Sequence, residues 1–551
     1  MNPNLILLLP VFFPVFAGIL LAGSRLLCQE RKRGVYVAAV SLLELVFVGL
    51  AGAGDYELVL FRMSDRLAFT LRPDRLSILF GVLCAAMWLA SAVYAAGYMR
   101  GQKDSRLYQI FFLISVGLIG GLCFSGNLLT AYLFYELMTL ALLPLVIHER
   151  SKEAIRAGLS FLFYSIGGAF LGLAGFFIFY SCGISFDFRE GGWLGAEGVR
   201  KGAEFIVSLS AREKQLVLAG CFCAAVGFGS KAGLFPLHGW LPSAHPVAPA
   251  PASALLSGNV TKMGLLVILR VIYYIVGPEF LRGTWVQYAL CALALSTVLI
   301  GSVIASREQL LKRRLAYSTI GQVSYALFGI FVLNRTALLG ALLHVVFHSL
   351  AKNTLFLCAG TYIHETGRMR ADELEGVGRR LPATTWIFTF ASLTLVGIPP
   401  TSAFLSKWYL AQGSLEGAPF VLSWLGPAIL LVSAVFTAFY LLPVTVRGFF
   451  PGRPEEGTLS ATQEEESTAG DAPESGSIAD ALQEKDGKDG KGADAGHPQE
   501  EGSAGGRARR REAPLSMLVP PAVLAAFAVG FGILPGGLLR FLEAVCRAVL
   551  N

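Results

Sequence analysis

Long apolar runs recur along almost the whole chain, separated by short segments that carry charges, glycine or proline. A helix needs about 20 apolar residues to cross a hydrocarbon core of roughly 30 Å. Marking such runs predicts about fourteen spans. They are 4–23, 35–54, 76–98, 107–125, 127–147, 157–181, 215–235, 250–275, 284–305, 315–333, 338–363, 384–412, 421–446 and 514–548. The pattern predicts an all-α polytopic protein of the inner (cytoplasmic) membrane, with the lipid bilayer as a partner.

Two segments depart from this pattern. Residues 55–75 alternate polar and apolar side chains, which predicts a short β-hairpin on the outside. Residues 452–513 are rich in Glu, Gly, Ser, Ala, Lys and Asp, so we expect a disordered cytoplasmic linker that cannot bury enough apolar area to fold. The predicted units are three N-terminal spans with the hairpin (1–106), two five-helix units (107–275 and 284–446), the linker, and a final transmembrane helix (514–551).

Composition and charge support a membrane protein. The chain is 54% hydrophobic and 15% charged, whereas soluble domains carry about 25% charged residues. A net charge of +7 might indicate nucleic acid, but Lys and Arg lie in short clusters between apolar runs, so we expect no nucleic-acid partner. The loops after spans one, three, five, nine and eleven are richest in basic residues, which predicts that these loops are cytoplasmic and both termini outside.

Cofactor and metal sites are not indicated. The nine cysteines are scattered, with no C-x-x-C and no His/Cys cluster at metal-binding spacing. The chain also lacks a phosphate-binding G-x-x-x-x-G-K-[ST] motif and a dinucleotide fingerprint after a strand. We therefore expect no cofactor, no metal and no redox centre in this chain, and any driving reaction should belong to partners.

A few ionisable groups interrupt the apolar runs deeply, although each charge at mid-bilayer costs at least about 2.5 kcal/mol. They are Glu44, Glu136, Lys231, Lys262, Arg270, His344, His348, Lys352 and Lys407. We interpret Glu44 and Arg270 as structural ion pairs or partners near span ends. Glu136 is either a neutral acid bonded to a neighbour or the charge partner of an intramembrane cation.

Two of the lysines accompany breaks in their helices. Lys231 lies among three glycines and a proline in 227–236, and Lys407 follows the Gly/Pro segment 397–402. If spans four to eight and nine to thirteen are two inverted five-helix repeats, these breaks fall in the corresponding helices seven and twelve, where transport sites are expected. The symmetry is incomplete, because the tenth span offers Gln322 and Tyr325 where the fifth has Glu136.

A further group lies on one helix face, since His344, His348 and Lys352 follow at intervals of four. Three protonatable groups in register favour a hydrated proton path over a satisfied core histidine. Metal binding is disfavoured because that face has no carboxylate and no third histidine. Lys262, about a dozen residues into its span, is either part of such a path or an interfacial anchor.

Several of these segments resemble the antiporter-like subunits of complex I, a family that includes membrane-bound hydrogenase subunits and the large Mrp-type sodium/proton antiporter subunits. The segments are YELM at 135–138, GSKAGLFPLHGWLP at 229–242, TKMG at 261–264, 344–356, GIPP at 397–400 and SKW at 406–408. The resemblance covers roughly 70–446. It implies fourteen helices in inverted repeats and a polar axis in which Glu136 pairs with Lys231, Lys262 and the His344/His348 region connect, and Lys407 ends the channel.

The chain departs from the distal complex I subunit in two respects: it lacks the long lateral amphipathic helix, and it carries the charged 452–513 linker. His348 with Lys352 is closer to the hydrogenase and Mrp relatives. The resemblance implies proton translocation within a redox-driven complex, alongside paralogous antiporter-like subunits and peripheral subunits that carry clusters. An Mrp-type sodium/proton antiporter subunit is the alternative, and a structural membrane anchor with relic charges is a third reading.

Overall fold

The computed structural model describes residues 3–64, 67–195, 209–417, 420–451 and 512–550. The predicted linker, apart from Glu512 and Ala513, lies outside the described residues. The helices are α1 (Leu9–Gly23), α2 (Glu30–Ala51), α3 (Arg75–Tyr98), α4 (Ser105–Cys123), α5 (Leu128–Val146), α6 (Lys152–Ser181), α7 (Ala211–Ala232), α8 (Trp240–Val247), α9 (Ala250–Leu255), α10 (Thr261–Arg270), α11 (Pro278–Leu281), α12 (Trp285–Arg307), α13 (Leu311–Phe331), α14 (Arg335–Thr366), α15 (Val377–Arg380), α16 (Pro382–Val396), α17 (Ser402–Gly417), α18 (Phe420–Phe449), α19 (Leu515–Ile533) and α20 (Gly536–Leu550). The prediction of a helical architecture is confirmed.

Five of the long helices, α3, α5, α6, α7 and α14, begin at side chains that cap their free N–H groups. Asp74, Asn127, Ser151 and Asn334 each accept a hydrogen bond from the backbone N–H three residues later. Ser210 starts α7 through a reciprocal capping box with Glu213. These local signals fix where each apolar run enters its helix, and hence which faces meet in the interior.

Twelve helices of the described residues are long and apolar enough to cross a membrane. Their outward faces are apolar: on α6, for example, Phe163 and Phe177 are 75% and 67% exposed. Such continuous apolar surface suits lipid rather than water. Two further predicted spans correspond to α13, whose buried face carries many polar side chains, and to the interrupted pair α16 and α17. The count of fourteen stays a prediction.

A single antiparallel hairpin is formed in the described chain, and its second strand packs against α5. Leu58–Ser64 pairs with Leu67–Leu71, and Leu58 lies opposite Leu71, where the alternating pattern predicts strands. At the other end, the last apolar run divides into α19 and the amphipathic α20, which buries Leu542 and Val549 and exposes Arg547.

The polar interior lies around α14, which is buried over nearly its whole length. It packs against α9, α13, α16, α17 and α19. Two π-helical turns, Leu256–Val260 and Val271–Val276, flank α10, so that Ala250–Val276 forms one fully buried span beside it. This arrangement brings the helices that carry the predicted site residues together.

Candidate functional site

Both predicted helix breaks are present, and the helices that precede them, α7 and α16, end in the same way. Gly233 after α7 and Gly397 after α16 have φ of +86° and +85°, a conformation that glycine adopts without strain. The N–H of Leu234 donates to Gly229 O at 2.8 Å, and that of Ile398 to Leu393 O at 3.3 Å. These are Schellman closures, which stop each helix inside the protein and satisfy carbonyls of its last turn.

Lys231, two residues before the first break, is fully buried. Its Nζ donates to Thr139 Oγ1, lies 3.4 Å from Tyr135 O, and stands 3.7 Å from the centre of the Tyr135 ring. All of these groups belong to α5. The ammonium is therefore held by a hydroxyl, a carbonyl and an aromatic face, as a desolvated cation requires.

Glu136 lies on α5 between these two contacts, but it forms no salt bridge with Lys231 within the described residues. Its Oε1 is buried and has no hydrogen-bond partner there. The Lys231 ammonium contacts Tyr135 and Thr139, which lie on the same helix as Glu136. Glu136 and Lys231 therefore influence each other through their charges without a direct contact. The implied Glu136–Lys231 pair stays a prediction.

Lys262 is positioned by the first π-helical turn. Its Nζ donates to Ser257 O at 2.6 Å and lies 2.7 Å from His348 Nδ1. A π turn displaces backbone carbonyls from the regular helical register, and such turns are frequent at functional sites. The buried Lys262 is thus part of the interior network rather than an interfacial anchor.

The three residues predicted to share a face of α14 do so, but they reach different neighbours. His348 meets Lys262, His344 Nδ1 lies 3.0 Å from Ser406 Oγ on α17, and Lys352 Nζ donates to Ser318 Oγ on α13 at 2.5 Å. The two imidazole rings are 6.0 Å apart. Nε2 of each ring is buried and has no partner among the described residues, which leaves an open position on both rings.

Lys407 closes the second break. Its Nζ donates to Leu395 O at 2.9 Å and Val396 O at 2.8 Å, the carbonyls at the C-terminal end of α16. A helix C-terminus carries partial negative charge and favours a cation. The ammonium also lies 5.2 Å from the Tyr325 ring, which stacks on His344 with ring centres 5.2 Å apart.

The structure therefore joins the buried Lys262, His348 and His344 and the half-buried Lys407 into one row, with Tyr325 and Ser406 as intervening groups. We call this set the central row. Lys352 branches from its α14 face, whereas Lys231 and Glu136 form a separate cluster on α5 and α7. This grouping was not evident from spacing alone, because it depends on which helices pack against α14.

Sequence reasoning missed a further set of groups around His245. Both ring nitrogens of His245 are buried without partners in the described chain, and the ring stacks on Phe356 at 4.6 Å. Nearby, Lys312 Nζ donates to Ala248 O at 2.8 Å. Burial raises the pKa of Glu149, beyond the end of α5, and the Lys312 charge partly opposes that rise. In the sequence, Lys312 is one of several basic residues in the loop after the ninth predicted span, so nothing singles it out as a buried group.

Of the two residues interpreted as structural partners, one is confirmed. Arg270 forms a bidentate pair with Asp74, with Nη2–Oδ1 at 2.9 Å, and its guanidinium lies over the Phe188 and Tyr274 rings. The expectation for Glu44 is wrong, since no salt bridge involves it in the described ranges. No group of three or more His, Cys, Asp or Glu there is arranged to hold a metal ion.

Comparison with known proteins shows one family. The family model described as "NADH:quinone oxidoreductase/Mrp antiporter, TM" matches residues 125–437. NADH-quinone oxidoreductase subunit N of Desulforudis audaxviator is 32% identical over 469 residues, which cover 83% of this chain and 88% of that protein. Hydrogenase-4 component B of Escherichia coli is 32% identical over 356 residues, 62% of this chain and 50% of that protein.

The same fold is found in a solved structure of the Mrp complex from Dietzia, in which one chain superposes with a TM-score of 0.76 at 19% identity, covering 100% of this chain and 98% of that one. Fold, family model and sequence relatives agree, and the likeness extends over the central row. This multi-pass membrane protein belongs to the NADH:quinone oxidoreductase/Mrp antiporter family of antiporter-like transmembrane subunits.

Proposed function

We propose that the chain translocates protons across the membrane through the central row, as the antiporter-like subunit of a redox-driven complex. The contact between Lys262 Nζ and His348 Nδ1, at 2.7 Å, carries this proposal. It places an ammonium donor directly on an imidazole acceptor inside the protein, where both side chains are buried. From there the buried His344, Ser406 and Tyr325 lead to the half-buried Lys407.

Imidazole suits this position because it accepts a proton on one ring nitrogen and releases another from the second. Lys262 would deliver a proton to Nδ1 of His348. His348 would then release a proton from Nε2 toward the open side of His344, and water can bridge the remaining gap between the rings. Lys407, held by the carbonyls of Leu395 and Val396, would receive the charge at the far end.

Glu136 and Lys231 would control when protons enter this row. Burial disfavours the charged form of a lysine, whereas a nearby carboxylate favours it. Lys231 would therefore bind its proton more tightly when it approaches Glu136 than when it rests on Thr139, as here. Moving one charge against 100 mV requires about 2.3 kcal/mol, and one tenfold change in proton affinity corresponds to about 1.36 kcal/mol. A change of about a hundredfold in the proton affinity of Lys231 is thus sufficient to move one proton against 100 mV.

The parent complex is inferred from the relatives. The two relatives at 32% identity are named as subunits of a quinone oxidoreductase and of a hydrogenase, which supports membrane partners of the same family and peripheral subunits that carry clusters. The alternative is an Mrp-type sodium/proton antiporter subunit, which the family description also includes. We place the chain in the inner (cytoplasmic) membrane with both termini outside, in keeping with its basic loops.

The predicted domain organisation is part of the proposal. Matching Schellman closures at Gly233 and Gly397 support two five-helix repeats, 107–275 and 284–446. The order of packing also agrees: α4, α5, α6 and α7 contact one another in sequence, as do α12, α13, α14 and the α16–α17 pair. The N-terminal unit 1–106 and the final segment 514–551 would then flank the repeats.

The test is proton uptake by the purified complex in proteoliposomes, followed with a pH-sensitive dye. Lys262→Met should abolish most of the proton uptake, while electron transfer by the redox subunits of the complex persists. Lys152→Met, on the exposed start of α6, is the matched control and should pump normally. Wild-type uptake by Lys262→Met would refute the central row, and ²²Na⁺ movement without any redox substrate would support the Mrp-type alternative.

A further inference from the structure

Glu44 is a buried acid outside the central row. It lies in the middle of the buried face of α2 and is 1% exposed. Its Oε2 has no hydrogen-bond partner in the described residues. An ionised carboxylate buried without a cation or a donor is strongly disfavoured. The site therefore requires something that neutralises or bridges its oxygens.

A backbone carbonyl of α1 lies near Glu44. Pro14 has no N–H, so the carbonyl of Pro10, four residues earlier, cannot receive its normal helical hydrogen bond. A Cβ on Gly120 of α4 would lie 2.5 Å from Pro10 O and 3.5 Å from Glu44 Oε1. The two oxygens are consequently no more than about 6 Å apart, and glycine at position 120 keeps the space beside them open.

No salt bridge to Glu44 is formed within the part of the chain that the structure describes. Helix α1 and the 3-10 turn before it carry no titratable side chain, and from α4 the thiol of Cys123 faces Glu44. On α3 the nearby group is the thiol of Cys84, which lies next to Cys123. Arg270 also lies near Cys123 but is paired with Asp74, so the two acceptors meet without a cation bound to Glu44 in the described residues.

We propose that Glu44 is a proton-binding site, in which the protonated carboxyl donates to Pro10 O between α1, α2 and α4. It stands independently of the proposed function, because none of its residues belongs to the central row. Loss of the proton would leave a carboxylate against a carbonyl oxygen, and the two would repel each other. Proton release from Glu44 would therefore be coupled to separation of α1 from α2.

The test is infrared difference spectroscopy on the purified complex that contains the full chain. At pH 7 the wild type should show the C=O stretch of a protonated carboxylic acid that Glu44→Gln lacks and Glu30→Gln, at the exposed start of the same helix, retains. Glu44→Gln should keep the wild-type melting temperature, since a neutral amide replaces a neutral acid. Absence of any Glu44-dependent acid band at pH 7 would overturn the proposal.

Pro14→Ala tests the partner oxygen. Alanine restores an N–H that can bond to Pro10 O, so the Glu44 acid band should shift toward that of a more weakly bonded carboxyl. An unshifted band would show that Pro10 O is not the acceptor. Titration with NaCl at constant pH and ionic strength separates the two monovalent cations: loss of the acid band as Na⁺ replaces choline would make Glu44 a sodium site and contradict the proton assignment.

Discussion

The Lys407 side chain packs directly against Gly397 at the second helix break. Gly397 has a φ of +85°, and a Cβ added there would stand 3.1 Å from Cδ of Lys407. Gly397→Ala should therefore displace the Lys407 ammonium from Leu395 O and Val396 O. It should also lower the free energy of unfolding by roughly 1–2 kcal/mol, the cost of a left-handed conformation for a residue with a Cβ. Proton uptake and thermal unfolding in detergent measure the two effects.

The matched control is Gly530→Ala in α19. A Cβ at Gly530 would meet nothing within 4 Å, and the residue has a helical conformation. Alanine there should leave uptake unchanged and stabilise the helix by up to about 1 kcal/mol. If Gly397→Ala pumped like Gly530→Ala, the position of Lys407 at the break would not matter for translocation.

Thr139 and Glu136 should compete for Lys231. Thr139→Val removes the hydroxyl that accepts from Lys231 Nζ, so Lys231 should remain near Glu136 and proton uptake should slow. Glu136→Gln should slow it for the opposite reason, because the ammonium loses its charged partner. In the double variant the effects should depart from additivity by about 0.5–3 kcal/mol, as for residues that share a contact. Initial proton-uptake rates of the wild type, the two single variants and the double variant complete this double-mutant cycle. Strictly additive effects would show that Lys231 does not exchange between Thr139 and Glu136.

The sequence was sufficient for the elements that local chemistry determines. Apolar runs and the alternating 55–75 segment predicted where helices and the hairpin form, and Gly/Pro clusters predicted both breaks. Which buried groups touch depends instead on tertiary packing. Spacing placed His344, His348 and Lys352 on one face, yet only the packed helices show that Lys352 turns to Ser318 while His348 meets Lys262.

Partners without charge were harder to predict than the charges themselves. Tyr325 and Ser406 complete the central row, but a tyrosine or serine in an apolar run carries little signal. For Glu44 the charge was evident but its expected partner was wrong, because a buried acid that packs against other helices need not pair with a base. The Pro10 carbonyl that faces it is a backbone atom, which only the position of Pro14 makes conspicuous.

His348 should be required as the direct acceptor from Lys262. His348→Phe retains an aromatic ring but removes Nδ1 and Nε2. Loss of a hydrogen bond to a charged group costs about 1.5–3 kcal/mol, which corresponds to a roughly ten- to hundredfold slower uptake. His364→Phe, at the exposed end of the same helix, is the matched control. Equal uptake rates for the two variants would remove His348 from the path.

The Asp74–Arg270 pair should make the fold sensitive to acid. Burial alone would raise the pKa of Asp74, but the Arg270 charge and hydrogen bonds from Arg270 and Ser77 outweigh it and hold that pKa below its usual value. Because the folded-state pKa is depressed, the stabilisation is complete above the unfolded-state pKa and is lost as pH falls through the folded one. Asp74→Asn should cost up to about 3 kcal/mol, the low end for a broken buried pair, since the two side chains are 3% (Arg270) and 23% (Asp74) exposed. Melting temperatures in detergent between pH 7 and pH 3 should fall for the wild type more than for Asp74→Asn, because the variant has already lost the carboxylate; parallel pH profiles would show that the pair contributes no pH-dependent stability.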